Sequence, residues 1–107
     1  MKNPIGIYEK ALPKNLSWAE RFKAAREAGY DFLELSVDET PERMARLDWS
    51  LAERLDFFRA SREAGIPVPS MCLSGHRKIP FGSADPAIRA QAAEFMEKAI
   101  RFASDTG

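Results

Sequence analysis

Apolar and polar residues alternate along this chain with two periods, one typical of strands and one typical of helices. Short, mainly apolar runs at 5–8, 32–37 and 68–73 predict three strands. Each run is followed by a longer segment in which apolar residues recur every three or four positions, as in an amphipathic helix. Strands that alternate with helices indicate a parallel sheet with right-handed crossover connections.

The ends of the predicted helices carry residues that start or stop a helix. Segments 17–20 and 50–53 each begin with Ser and end with Glu, the spacing of a capping box. Asp85 before Pro86 predicts an N-cap followed by a proline in the first turn. The sequence Arg-Glu-Ala-Gly at 26–29 recurs at 62–65, an offset of 36 residues that matches one strand-plus-helix unit.

The helical spacing also predicts which residues of each helix face the core. These are Trp18, Phe22, Ala25 and Ala28 in the first helix, Leu51, Leu55 and Phe58 in the second, and Ile88, Ala92, Phe95, Ala99 and Phe102 in the third. The chain therefore holds three strand-plus-helix units. It reaches Gly107 at the point where a fourth strand is expected to begin.

The second strand alternates, although strands of parallel sheets are normally apolar throughout. Glu34, Ser36 and Asp38 share one face, while the residues between them are apolar. This polar face has two interpretations. It is exposed to solvent, as in a two-layer α/β domain, or it lines the interior of a closed barrel that contains water near one end. In a (β/α)8 barrel the active site lies at the C-terminal ends of the strands.

The composition of the chain mainly excludes certain classes of protein and partner. With 107 residues, 45% hydrophobic and 30% charged, the chain suits one soluble domain and is too short for two. Sixteen basic residues balance sixteen acidic ones, which argues against a nucleic-acid partner. No run approaches the roughly 20 apolar residues of a membrane span, and no apolar segment follows the N-terminus. We therefore predict a cytoplasmic protein without a nucleic-acid or membrane partner.

Two residue types that often form metal or disulfide sites occur once each. A single cysteine excludes an intrachain disulfide, and a single histidine excludes a His-based metal cluster within the chain. Cys72 lies mid-strand among apolar neighbours and is predicted to be an inert, packed thiol. Neither the Walker pattern nor Gly-x-Gly-x-x-Gly is present, so no motif supports nucleotide binding.

Several blocks of the chain, in order and without a large gap, resemble one enzyme family. They are residues 6–13, 34–40, 46–50, 69–74, 76–77 and 81–83. Together they resemble the N-terminal part of the bacterial L-ribulose-5-phosphate (L-xylulose-5-phosphate) 3-epimerases, often labelled hexulose-6-phosphate isomerases. These enzymes belong to the xylose-isomerase-like TIM-barrel superfamily.

The resemblance implies an α/β fold in which residues 1–107 are a partial TIM barrel. This part would hold strands one to three with their helices and end before strand four, since typical TIM barrels have about 250 residues. It also implies epimerisation of a ketose phosphate in carbohydrate metabolism, with pentose phosphates and L-ascorbate degradation as the setting. A proton is removed from C3, alpha to the carbonyl, and one is returned on the opposite face.

A divalent metal that polarises the carbonyl is expected for the full-length enzyme. In the family, the two catalytic glutamates and the Asp and His that join them around the metal lie on later strands. The resemblance therefore assigns this chain no catalytic residue and no metal ligand. Residues 1–107 alone are expected to be inactive and to bind no metal.

Position at the strand ends, together with the resemblance, predicts which side chains contact a sugar phosphate. The predicted substrate-binding residues are Tyr8, Lys10, Glu34, Ser74, His76 and Arg77. Arg77 and its neighbours either hold a phosphate or form a solvated basic turn. Glu34 either contacts the substrate or has a structural role, bonded to Tyr8 or to loop amides. His76 is either a ligand-contacting residue or an ordinary loop residue.

Two other functions are compatible with the same residues. One is a self-contained, non-catalytic α/β module that associates through its open sheet edge. The other keeps the superfamily but changes the chemistry to an isomerase or a metal-dependent phosphodiesterase. For the isolated chain, unpaired sheet edges predict self-association, by edge pairing or by two partial barrels that face each other.

Overall fold

Three parallel strands, in the order β1-β2-β3, form the sheet of this protein. The structure is a computed structural model that describes residues 2–107. The strands are β1 (Gly6–Tyr8), β2 (Phe32–Ser36) and β3 (Ser70–Cys72). Tyr8 lies opposite Glu34, and Ser36 lies opposite Cys72. The three predicted strands are confirmed. Each is shorter than its apolar run because the ladder extends only where neighbouring strands pair.

Helices follow each strand, as the pattern predicts. They are α1 (Trp18–Glu27), α2 (Pro41–Met44), α3 (Leu51–Ala64) and α4 (Pro86–Thr106), with 3-10 turns at Glu9–Ala11, Ala45–Asp48 and Ser74–Arg77. Both capping boxes form at α1 and α3, and Asp85 caps α4 ahead of Pro86. No helix in the described part of the chain combines the length and hydropathy that crossing a membrane requires.

The core lies between the sheet and the long helices. The apolar face of β2 is fully buried there, with Leu33, Leu35 and the following Val37 at most 1% exposed. Phe22 of α1 and Phe102 of α4 pack in the same cluster. The predicted split of β2 into an apolar face toward the helices and a polar face away from them is confirmed.

Helix α3 turns a different side to the core than its spacing predicts. Phe57 and Ser61 are its buried residues, whereas Leu51 is 60% exposed and Leu55 and Phe58 are half-buried. Two phenylalanines stand side by side in this helix, and packing selects Phe57 because its ring joins an aromatic cluster with rings of α1 and α4. The predicted core face of α3 is therefore wrong. The prediction for Ala28 is also wrong, since α1 ends at Glu27 and Ala28 is exposed.

The repeated Arg-Glu-Ala-Gly segments join α1 to α3. Gly29 and Gly65 both have positive φ, +89° and +68°, the left-handed conformation that follows a helix end. The Arg26 guanidinium of the first repeat donates a hydrogen bond of 3.0 Å to the carbonyl of Ala64 in the second. The two copies therefore contact each other at the ends of neighbouring helices.

Candidate functional site

The polar face of the sheet carries a row of hydroxyl and thiol groups across its three strands. The Tyr8 hydroxyl donates a 2.9 Å hydrogen bond to Ser36 Oγ, and Ser36 is the register partner of Cys72. Burial raises the pKa of the Tyr8 phenol, the bond with Ser36 lowers it in part, and the nearby Cys72 thiol raises it again. Tyr8 is therefore a neutral phenol at neutral pH, able to donate or accept a hydrogen bond.

A buried ion pair fastens the ends of β1 and β2 together. Glu9, the residue after β1, is 3% exposed and accepts a 2.7 Å hydrogen bond from the Ser36 backbone N–H. Both terminal nitrogens of Arg46 donate to the two oxygens of this carboxylate. Arg46 also donates to the Ser36 carbonyl at 2.8 Å. Because Ser36 holds the Tyr8 hydroxyl, this pair fixes the residues that shape the polar face.

A second arginine and a tryptophan surround the same pair. The Arg21 guanidinium lies 3.6 Å from Glu9, and burial lowers its pKa while the carboxylate partly offsets this. The guanidinium carbons of Arg21 and Arg46 lie 4.5 and 5.1 Å from the Trp18 ring centroid, within cation–π range. Two cations on one carboxylate leave this cluster net positive.

Asp38, the second buried carboxylate, lies beyond the end of β2 and gathers two cations. It is 3% exposed and accepts hydrogen bonds from the backbone N–H (2.9 Å) and hydroxyl (2.5 Å) of Thr40. Lys10 Nζ lies at 2.9 Å and Arg43 Nη1 at 3.1 Å from the other carboxylate oxygen. Burial acts to raise the pKa of Asp38, but the bonds from Thr40 and Lys10 hold it well below its usual range.

Asp38 in turn keeps Lys10 charged. The hydrogen bond to Asp38 raises the pKa of Lys10, whose side chain remains 42% exposed. A lysine ammonium has three donors, so the N–H groups that Asp38 does not use are available to an anion. Lys10 is therefore a charged, positioned donor at the C-terminal end of β1.

Replacing Asp38 with Asn is expected to lower the free energy of unfolding by about 1 to 3 kcal/mol at pH 7. Because folding lowers the pKa of Asp38, this stabilisation is complete above the unfolded pKa of about 3.9 and is lost as the pH falls through the lower folded value. The difference between wild type and Asp38→Asn, measured by urea unfolding, should shrink from pH 6 toward pH 2. An unchanged difference over that range would contradict the role given to the charge.

Within residues 2–107, Glu34 bonds neither to Tyr8 nor to a loop amide, so the predicted form of its structural role is wrong. It is half-buried and accepts a 2.8 Å hydrogen bond from the Ser70 hydroxyl on β3. Glu34 is the ladder partner of both Tyr8 and Ser70, but the long Tyr8 side chain reaches forward to Ser36. Ser70, whose side chain is shorter, therefore bonds the Glu34 carboxylate.

The turn Ser74–Arg77 is held against the end of β2. The backbone N–H of Gly75 donates a 3.0 Å hydrogen bond to the Val37 carbonyl. A Cβ at this position would lie 2.6 Å from the Phe95 ring and 3.2 Å from the Asp38 carbonyl oxygen. Only glycine permits this approach without displacement, and it brings the residues after β2 and β3 together.

His76 is half-buried between two phenylalanines. Its ring centroid lies 4.6 Å from that of Phe81 and 5.0 Å from that of Phe95, and Nδ1 lies 3.3 Å from the Ile79 carbonyl. Nε2 is buried and has no hydrogen-bond partner among the described residues. The neighbouring Arg77 is exposed and forms no ion pair within residues 2–107.

The structure thus places five of the six predicted substrate-binding residues at the C-terminal ends of the strands or directly after them. Glu34 lies within β2 on the same polar face. The predicted substrate-binding set contains none of the charged residues Glu9, Arg43 and Arg46. No sequence signal links Glu9 with Arg46, 37 positions apart. Among residues 2–107, no three His, Cys, Asp or Glu side chains are grouped so as to hold a metal.

Comparison with known proteins shows the family and the fold of this chain. The family described as the xylose isomerase-like TIM barrel matches residues 22–107. The chain belongs to this family. A solved structure of D-psicose 3-epimerase in the presence of D-fructose superposes on this chain with a TM-score of 0.75. The match covers 97% of this chain and 34% of the epimerase at 18% identity, which supports the fold alone.

Curated relatives of this chain are much more similar to it in sequence than D-psicose 3-epimerase is. The chain is 58% identical over 104 residues to L-ribulose-5-phosphate 3-epimerase UlaE of Shigella boydii serotype 18 and equally to UlaE of Escherichia coli strain SE11. Each match covers 97% of this chain and 37% of the relative, so the chain spans little more than a third of their length. The predicted fold class, three parallel strand-plus-helix units from the N-terminal part of a (β/α)8 barrel, is confirmed.

Proposed function

We propose that this chain supplies the first three strand-plus-helix units, the domain 1–107, of a sugar-phosphate 3-epimerase. The substrate is a ketose phosphate such as L-ribulose 5-phosphate, in carbohydrate metabolism that includes L-ascorbate degradation. The reaction removes the proton at C3, alpha to the carbonyl, and returns one on the opposite face. The observation that carries the proposal is 58% identity to UlaE over 104 residues, which is 97% of this chain.

In this proposal the chain binds and orients the substrate, while the reacting carboxylates lie elsewhere in the barrel. Lys10 and Arg77 are cations at the ends of β1 and β3, suited to a phosphate group. Tyr8 is a neutral phenol on the interior face, suited to a sugar hydroxyl. Glu34, Ser74 and His76 complete the set as hydrogen-bonding groups.

The divalent metal that the family resemblance implies does not fit the described residues. Among residues 2–107 no group of three His, Cys, Asp or Glu side chains could hold a metal ion. No step of the proposal passes through a metal, and its ligands are proposed to lie on later strands of the barrel.

A chimera tests the proposed function directly. These 107 residues would replace the matching N-terminal 37% of Escherichia coli UlaE, and L-ribulose 5-phosphate epimerisation would be followed with unmodified UlaE as control. Because the two segments share 58% identity, the barrel is expected to close and the chimera to be active. A chimera that unfolds cooperatively but shows no epimerisation would overturn the proposal.

In the active chimera, Arg77→Ala is expected to raise KM about tenfold or more while kcat stays nearly constant. A strand-end cation holds the phosphate equally in the ground and transition states, so its loss weakens uniform binding. Arg101→Ala, which removes an exposed arginine on α4, is the matched control and should change neither constant. A large fall in kcat with unchanged KM would show that Arg77 does not have this role.

The isolated chain is expected to have no epimerase activity and no tight divalent-metal site. It has one histidine, and residues 2–107 hold no group of three His, Cys, Asp or Glu side chains that could bind a metal ion. Calorimetric titration with Mn²⁺ and Zn²⁺ is the measurement, together with an epimerisation assay of the isolated chain. One stoichiometric, high-affinity site would contradict this expectation.

A second candidate function, a non-catalytic module that associates through its sheet edge, is favoured by the open edges of the sheet. Within residues 2–107, β1 and β3 each pair with β2 alone. Both therefore have one side without a neighbouring strand, which is a template for another chain.

A further inference from the structure

A concave site of about 230 Å³ lies between the N-terminal ends of α1 and α3, away from the polar face of the sheet. It is lined by Trp18, Trp49, Glu53, Asp56 and Phe57. Its residues come from the two helices and from the position before the α3 N-cap. Neither the predicted set of substrate-binding residues nor the polar face of the sheet includes Trp49, Glu53 or Asp56.

Three aromatic rings form the walls at different inclinations. Trp18 meets Phe57 edge to face, with centroids 4.8 Å apart and planes at 88°. Trp49 meets Phe57 at 5.8 Å and 59°. Phe57 is buried and both tryptophans are half-buried, so packing holds the rings while part of each tryptophan faces the cavity. This arrangement is an aromatic cage rather than a flat stack.

The ionisable side chains that line the cage are both acidic. Glu53 uses Oε1 to accept the Ser50 N–H of the capping box at 3.2 Å, and its Oε2 forms no hydrogen bond within residues 2–107. Asp56 is paired only loosely with Arg59, at 3.4 Å on an exposed surface. Surface pairs of this kind are weak, so Arg59 yields readily to a competing cation.

The nearby arginines are already engaged. Arg21 and Arg46 contact Glu9, and Arg54 donates to the carbonyls of Trp49 and Leu47. Arg54 also pairs with Asp105 at 2.7 Å. Asp105 therefore compensates the charge of Arg54. Arg21 and Arg46 share the single carboxylate of Glu9, so one of their positive charges remains beside Trp18. In the two capping boxes the serine hydroxyls accept the N–H groups of Glu20 and Glu53.

We propose that this cage binds the head group of a small organic cation of the quaternary ammonium type. Such a cation gains from the faces of tryptophan rings and from the two carboxylates, and it carries no N–H groups that would need acceptors. The cavity is below the roughly 300 to 1,000 Å³ of ordinary small-molecule pockets, so it admits a head group rather than a larger ligand.

The chain offers its own reporter for this site, since its two tryptophans both line the cage. Tryptophan fluorescence of the 107-residue chain would be titrated with choline at constant ionic strength. The neutral isostere 3,3-dimethylbutan-1-ol would be titrated in parallel. Choline is expected to give a saturable change with a roughly millimolar Kd, at least about fivefold tighter than the alcohol.

A charge-only variant separates the role of the carboxylates from that of the rings. Glu53→Gln/Asp56→Asn removes both charges, and glutamine still serves a capping box. Choline affinity is expected to fall about five- to tenfold, while binding of the alcohol stays unchanged. The matched control is Glu27→Gln/Glu63→Gln, which removes two exposed charges at the opposite ends of α1 and α3 and should have no effect.

Three results would overturn the proposal: no saturable response to choline, equal affinity for choline and the alcohol, or full choline affinity in the charge-only variant. A urea unfolding curve of each variant shows whether it is folded. If the charge-only variant does not fold, the comparison of choline with its isostere on the wild-type chain decides alone.

Discussion

Replacing Arg46 with methionine is expected to lower the free energy of unfolding by about 3 to 5 kcal/mol. The change leaves Glu9 at 3% exposure without its main partner, and an uncompensated buried charge is strongly destabilising. Arg21 at 3.6 Å and the Ser36 N–H still contact the carboxylate, so the loss should lie near the lower end of this range. Urea unfolding of the 107-residue chain is the measurement.

Two further variants show whether the unpaired charge is the cause. Glu9→Gln/Arg46→Met removes both charges and keeps an acceptor for the Ser36 N–H, so it should be clearly more stable than Arg46→Met alone. Arg59→Met, which breaks an exposed pair with Asp56, should change stability by no more than about 0.5 kcal/mol. If the double variant is less stable than Arg46→Met, the pairing argument is wrong.

The isolated chain is expected to self-associate, which is the second large effect. Its mass in solution should exceed the 12.0 kDa of the monomer and should rise with protein concentration. Open sides of β1 and β3 favour pairing with another copy. Apolar groups lie beside the β3 edge, where Met71 and Leu73 are half-buried and Ile100 of α4 is 62% exposed. A symmetric dimer is the commonest way to cover such a surface.

Sedimentation over a concentration series measures this association, and a matched pair of variants locates it. Ile100→Lys should weaken the association, because it places a charge beside the β3 edge. Leu51→Lys should not, although Leu51 is equally exposed at 60%, because it lies on α3 away from that edge. A single 12.0 kDa species at every concentration, with cooperative unfolding, would refute the association and show that the polar face tolerates water.

The local features of this fold could be predicted because their signals span only a few residues. The serine–glutamate capping boxes lie within one helical turn, and the glycines that end α1 and α3 act on their own backbone. The two faces of β2 follow from the alternation of its side chains. The order of strands and helices then leaves few topologies for a parallel sheet.

Only the tertiary structure decided which side of α3 is buried and which polar groups meet at the strand ends. Phe57 rather than Phe58 joins the core because the neighbouring aromatic rings lie on its side, which the spacing of α3 alone does not specify. Glu9 meets Arg46 across 37 positions, and Glu34 meets Ser70 across 36. Such partners are chosen by register and packing after the chain has folded, because a charged or polar side chain that is removed from water bonds whichever group the fold places beside it.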